Sequence, residues 1–138
     1  IPLRLVGSEM CIRDRGDPYH CQCQKTTRLL KERLGWHDSE IVTTFQSKFG
    51  PEEWLKPYTV EEVARLAEED GKKHIAVIAP AFSSDCIETL EEINEEIKES
   101  FEEGGGDTFT YIPCLNSDKA HINALSSIIE DNLKGWLD

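Results

Sequence analysis

The sequence predicts a mixed α/β domain built on a parallel sheet flanked by helices. Three observations lead there. Ile75-Ala76-Val77-Ile78-Ala79-Pro80 is an unbroken apolar run of strand length, the mark of a strand buried in a parallel sheet. Thr108-Phe109-Thr110-Tyr111-Ile112 alternates with the two-residue period of a strand. Stretches with helical period lie around these runs, and helices alternating with strands fold as a parallel sheet with right-handed crossovers.

Each element has its own justification. Gly16-Asp17-Pro18-Tyr19 is a turn whose proline also suits the first turn of a helix. Residues 20–34 favour helix, and Gly35 is its stop. Residues 41–46 are rich in β-branched side chains and predict a further strand, so that the sheet has three. Gly50-Pro51 and Lys56-Pro57 break the chain after it and predict a loop at the strand's C-terminal end, where open α/β sheets bind ligands. Thr59 and Glu62 have the spacing of a capping box for a helix over residues 60–70, with Val63, Leu66 and Ala67 inward and Gly71 as its end. Past the apolar strand, Ser83, Ser84 or Asp85 can cap a helix whose Ile87, Leu90, Ile93, Ile97 and Phe101 form a core stripe. Gly104-Gly105-Gly106 closes it as a plain loop, not a phosphate fingerprint. Residues 113–116 form a second strand-end loop. Ser117 or Asp118 then caps a last helix with Ile122, Leu125, Ile128, Ile129, Leu133 and Trp136 on its inner side. His74 and His121 read as structural and capping residues.

Composition narrows the function. A chain of 138 residues holds one domain. No apolar run approaches the ~20 residues of a membrane span. The net charge of −12 argues against nucleic acid, which needs basic patches, and against simple electrostatic docking on anionic lipid. Peripheral membrane contact by other means stays open. Five cysteines without a secretory signal point to reduced thiols in a cytoplasmic protein. Cys21-Gln22-Cys23 lacks zinc-knuckle spacing. Residues 1–15, IPLRLVGSEMCIRDR, have no period and resemble a translated sequencing adapter. They are expected to be a foreign, disordered scar, leaving residues 16–138 as the incomplete domain of a longer protein.

Two features carry chemistry. Glu88, Glu92 and Glu96 recur every fourth residue, with Asp85 a turn upstream, and so share one line of a helix. Like charges at that spacing repel by a few tenths of a kcal/mol per pair. A solvated face explains such a row. If a second surface covers it, the row can instead pass a hard divalent cation or relay protons. The loop after residue 46 offers Gln46, Ser47 and Lys48 for polar contacts, and Phe49, Trp54 and Tyr58 for stacking on a flat ligand.

Four motifs in order resemble the ferrochelatase family: Gly16-Asp17-Pro18-Tyr19 with Gln24; Gln46-Ser47-Lys48-Phe49-Gly50-Pro51 with Trp54-Leu55; Ser84-Asp85-Cys86-Ile87-Glu88-Thr89-Leu90-Glu91-Glu92; and Tyr111-Ile112-Pro113-Cys114-Leu115-Asn116. The resemblance implies a Rossmann-like, chelatase-type domain, the C-terminal half of a two-domain enzyme that inserts Fe²⁺ into protoporphyrin IX in haem biosynthesis. It implies Glu88 as the catalytic carboxylate facing the porphyrin, with Glu92, Glu96 and Asp85 handling iron or protons, and Trp54 as an aromatic of the porphyrin cleft. The family's essential histidine lies upstream of Gly16, so this piece alone is expected to be inactive without its N-terminal domain. No cysteine follows Cys114, so no iron–sulfur cluster is expected. The alternatives are a non-catalytic flavodoxin-like domain binding a small ligand or partner, or a related chelatase for cobalt or coproporphyrin.

Overall fold

A computed structural model of the chain describes residues 16, 18–47 and 53–136. Residues 1–15, read above as foreign, and Lys48 to Pro51 of the loop lie outside the described residues. Helix α1 (Tyr19–Leu34) ends at Gly35, whose φ of 72° is the left-handed conformation that closes a helix without a Cβ penalty. Helix α2 (Thr59–Glu68), strand β1 (His74–Ile78), a wide π-helical stretch (Glu88–Ile97) running on as α3 (Lys98–Glu103), strand β2 (Thr108–Ile112) and helix α4 (Lys119–Asn132) follow. The strands pair in parallel from His74↔Thr108 to Ile78↔Ile112.

One face of this sheet carries the core. Ile75, Val77, Phe109 and Tyr111 point to it and pack, with Ala79, on Val63 and Ala67 of α2 and on Ile93, Ile97 and Phe101. Ile93 and Phe101 are fully buried. Burying side chains of this size contributes about 1.5–3 kcal/mol each.

The structure corrects several expectations. Residues 41–46 form no strand: Phe45 makes a single bridge to Tyr58, with Phe45 N–H donating to Pro57 O and Thr59 N–H donating to Phe45 O, both at 2.9 Å. This segment lies against α1, where Phe45 stacks on His20 and Thr43 meets Thr27. The described sheet is therefore two-stranded. The apolar run Ile75–Pro80 is covered on one side only, and His74, Ala76 and Ile78 remain exposed. The capping box does not form either. Thr59 is buried and donates to Thr44 Oγ1 at 3.0 Å, while Glu62 pairs with Arg65.

The core stripe differs as well. Ile87 and Leu90 are 67% and 51% exposed, and the buried line is Thr89, Ile93, Ile97 and Phe101, each four residues on from the last. A 3.6-residue helix drifts by about 40° over every four residues. The wider π turn followed by α3 lets a four-residue row stay on the sheet. The reading by α-helical period placed Ile87 and Leu90 where the chain places Thr89.

Asp118 caps α4 as expected, accepting from Ala120 N–H at 2.8 Å and His121 N–H at 3.4 Å. The apolar side of α4 does not reach the core: Ile122, Leu125, Ile128, Ile129, Leu133 and Trp136 are exposed. The second sheet face offers only Ile78 and Ile112 as large apolar groups among small or polar neighbours, too little area to hold a helix.

The turn between α3 and β2 is tight. A Cβ built on Gly106 would stand 2.1 Å from the Phe101 ring. Gly106→Ala must therefore displace the largest buried side chain, and is expected to cost about 1–3 kcal/mol, read as a lower urea midpoint at unchanged slope.

Candidate active site

The site is built where the ends of both strands meet the wide helix. Asp85 stands at its centre. Its Oδ1 accepts from Tyr111 O–H at 2.5 Å and Cys114 N–H at 3.2 Å, and its Oδ2 accepts from Asn116 Nδ2 at 2.7 Å. Asp85 N–H donates back to Asn116 Oδ1 at 2.8 Å. The buried Thr89 hydroxyl accepts from Cys86 N–H at 2.9 Å and lies 3.2 Å from Asp85 Oδ1. Asn116 has φ 48°, a left-handed conformation uncommon outside glycine but tolerated by asparagine. Asn116 N–H also donates to Ser83 O at 3.0 Å, so the two strand-end loops are laced together.

Such a set of donors favours the ionised carboxylate. Asn116, then Tyr111, hold Asp85 well below the usual carboxylate range. Burial, then Asp85 itself, pushes the Tyr111 phenol up. Burial likewise raises the Cys114 thiol, whose sulfur lies 3.4 Å from the Tyr111 oxygen.

The acidic row lies beside the buried row, since Glu88, Glu92 and Glu96 each immediately precede Thr89, Ile93 and Ile97. Glu88 and Glu92 are half-buried and Glu96 is exposed. The Cys86 thiol, then Glu88's own backbone N–H, lowers the pKa of Glu88. Glu92 is held by the Gln46–Ser47 segment. Ser47 N–H donates to Oε1 at 2.6 Å, the Ser47 hydroxyl donates to Oε2, and Gln46 Nε2 reaches Oε2 at 3.3 Å and Glu88 O at 2.9 Å. A cleft of about 190 Å³ opens here, lined by Phe45, Gln46, Ser47, Tyr58, Glu92 and Ile97. Glu96 instead faces an open acidic groove of about 390 Å³ on the outer side of the helix.

Of the residues expected at the site, Gln46 and Ser47 meet Glu92 and the Glu88 backbone. Asp85 is turned toward Tyr111, Cys114 and Asn116. Trp54 is half-buried, its N–H donating to Tyr58 O–H at 3.2 Å. Lys48 lies outside the described residues. Among the described residues, no three His, Cys, Asp or Glu side chains are gathered to hold a metal ion. Thr89, Tyr111, Cys114 and Asn116 were not singled out as site residues. The signal for the last three was their place in and just after a strand, at the ligand-binding end of an α/β sheet.

Fold and site together define an α/β domain of Rossmann-like type with its polar network at the carboxyl ends of parallel strands. Its kin are specific. The family model for ferrochelatase matches residues 8–133, entering the 1–15 stretch, and the chain belongs to the ferrochelatase family. The ferrochelatase of Rhodobacter capsulatus is 70% identical over 123 residues, 89% of this chain and 35% of that protein. Those of Marinobacter nauticus and Rhizobium etli are 58% and 55% identical, over 88% and 95% of this chain and 33% and 38% of theirs. The chain thus spans about a third of the length of these curated relatives.

The Asp85 network makes a pH prediction. A carboxyl whose folded pKa is depressed adds stability above its ordinary value of 3.8, and that stability is lost as the pH falls below it. Asp85→Asn is expected to lower the thermal midpoint at neutral pH and to flatten its fall between about pH 5 and pH 2. Thermal unfolding of both proteins across that range checks it.

Proposed function

We propose that the chain forms one wall of the cleft in a longer enzyme that inserts Fe²⁺ into protoporphyrin IX, the rest of the protein supplying the opposite wall. The observation that carries this is the half-buried Glu88, set between the Asp85 network and the Gln46–Ser47 segment at the strand ends. Family membership and the length of the relatives support it.

Metal insertion exchanges two pyrrole N–H protons for one divalent cation, so the site must accept protons at the ring face. Glu88 is held ionised by the Cys86 thiol and its own N–H, and is ready to accept one. A tetrapyrrole laid over it excludes water and raises its pKa toward that of a useful base. Fe²⁺ is the substrate, and carboxylate oxygens suit a divalent cation arriving with part of its water shell. In this reading Glu88 and Glu96 are the acids open to it. Glu92 and Asp85 spend their oxygens on protein donors, and Trp54 and the tract Gln46, Ser47 and Lys48 border the porphyrin. The four free cysteines among the described residues, Cys21, Cys23, Cys86 and Cys114, suit a reducing cytoplasm. No described helix is long and apolar enough to cross a membrane.

Glu88→Gln keeps size and removes the base. In the full-length protein containing this chain it is expected to lower zinc or iron insertion by about 10²–10⁴ with little change in folding. Unchanged insertion would favour a domain that binds without catalysis. The 138-residue chain alone is expected to show no insertion in the same porphyrin-fluorescence assay.

A further inference from the structure

We propose that Glu92 is a positioning residue, a latch that fixes the Gln46–Ser47 turn, and not a ligand for the travelling cation. Ser47 has φ 60°, in the left-handed region that a serine seldom occupies. Such a conformation persists only where its surroundings over-determine it. Here the surroundings are one carboxylate: Ser47 N–H, Ser47 O–H and Gln46 Nε2 all converge on Glu92. Charge-assisted bonds of this kind are roughly twice as strong as neutral ones. Both oxygens are engaged, so a cation taken up here would compete with the bonds that set the turn.

The consequence reaches Glu88. With the turn fixed, Gln46 Nε2 caps the Glu88 carbonyl at 2.9 Å and ties the turn to the first residue of the wide helix. The same latch shapes the cleft that Phe45, Ser47 and Tyr58 line. This inference deepens the reading above and rests on it for its purpose. Its test uses neither tetrapyrrole nor metal insertion, so the two can fail separately.

Glu92→Asp and Glu92→Gln separate latch from ligand. Aspartate keeps the charge a cation would use but falls short of Ser47; glutamine keeps the reach and loses the charge. In the 138-residue chain, both are expected to reduce hydrogen-exchange protection of the Ser47 amide by about tenfold to a hundredfold, with the Ile93 and Ile97 amides unchanged. Adding Ser47→Gly, which adopts φ 60° at no steric cost, is expected to recover part of any fall in thermal midpoint. Unchanged protection at Ser47, or equal loss at Ile93 and Ile97, overturns the latch. So does a zinc affinity that falls with Glu92→Gln but holds with Glu92→Asp, since that outcome makes the acid a cation ligand.

Discussion

The carboxylate of Asp85 is the constraint on which the site depends. Four polar groups from three parts of the chain converge on it: Tyr111 at the end of β2, Cys114 and Asn116 in the loop beyond, and Thr89 on the wide helix. A two-stranded sheet has little stiffness of its own. Parallel strands also leave their following loops far apart in sequence, with no hairpin to join them. The charge at Asp85 does the joining, because donors that would otherwise lose water on burial find an ionised partner. The orientation of the helix that starts at Glu88, and hence of its first carboxylate, follows from this junction.

The wide helix sets what the row of acids can meet. In a regular α-helix a row at every fourth residue winds slowly round the axis. Here the row Thr89–Ile93–Ile97–Phe101 stays buried, so Glu88 and Glu92 beside it stay half-buried at the edge of the core, while Glu96 turns out to solvent. π turns are rare and gather at functional sites. Their cost is offset in this chain by Ile93 and Phe101, which have no exposure at all.

Much of this was legible in the residues. Strand β2 was readable to its ends from the alternation of Thr108–Ile112, and the stops at Gly35 and Gly71 from glycine's freedom at positive φ. Asp118 announced its helix by the one-residue logic of a cap. The acidic row and the Gln46–Ser47 tract were legible as candidates, because charge and spacing are visible in a line of text. Their meeting was not: Gln46 and Glu92 lie 46 residues apart, and only the fold brings them together. Residues 41–46 misled because β-branched side chains suit any extended segment, and a strand also needs a partner edge. Thr89 was invisible as a core residue because a buried hydroxyl pays only when local backbone and Asp85 satisfy it, and the period in use was 3.6.

Two residues other than glycine adopt left-handed backbone among the described residues, Ser47 and Asn116, and both stand in loops at the site. Each is held by one acid of the same helical region: Ser47 by Glu92, Asn116 by Asp85. That pairing divides the four acids by task. An acid whose oxygens accept from a strained loop holds geometry, because releasing those oxygens would free the loop. Among the described residues, the Glu88 and Glu96 carboxylates hold no such loop. The like charges of the row, neutralised in part at Asp85 and Glu92 by their donors, leave a negative field at the open carboxylates, the kind of field that favours a cation.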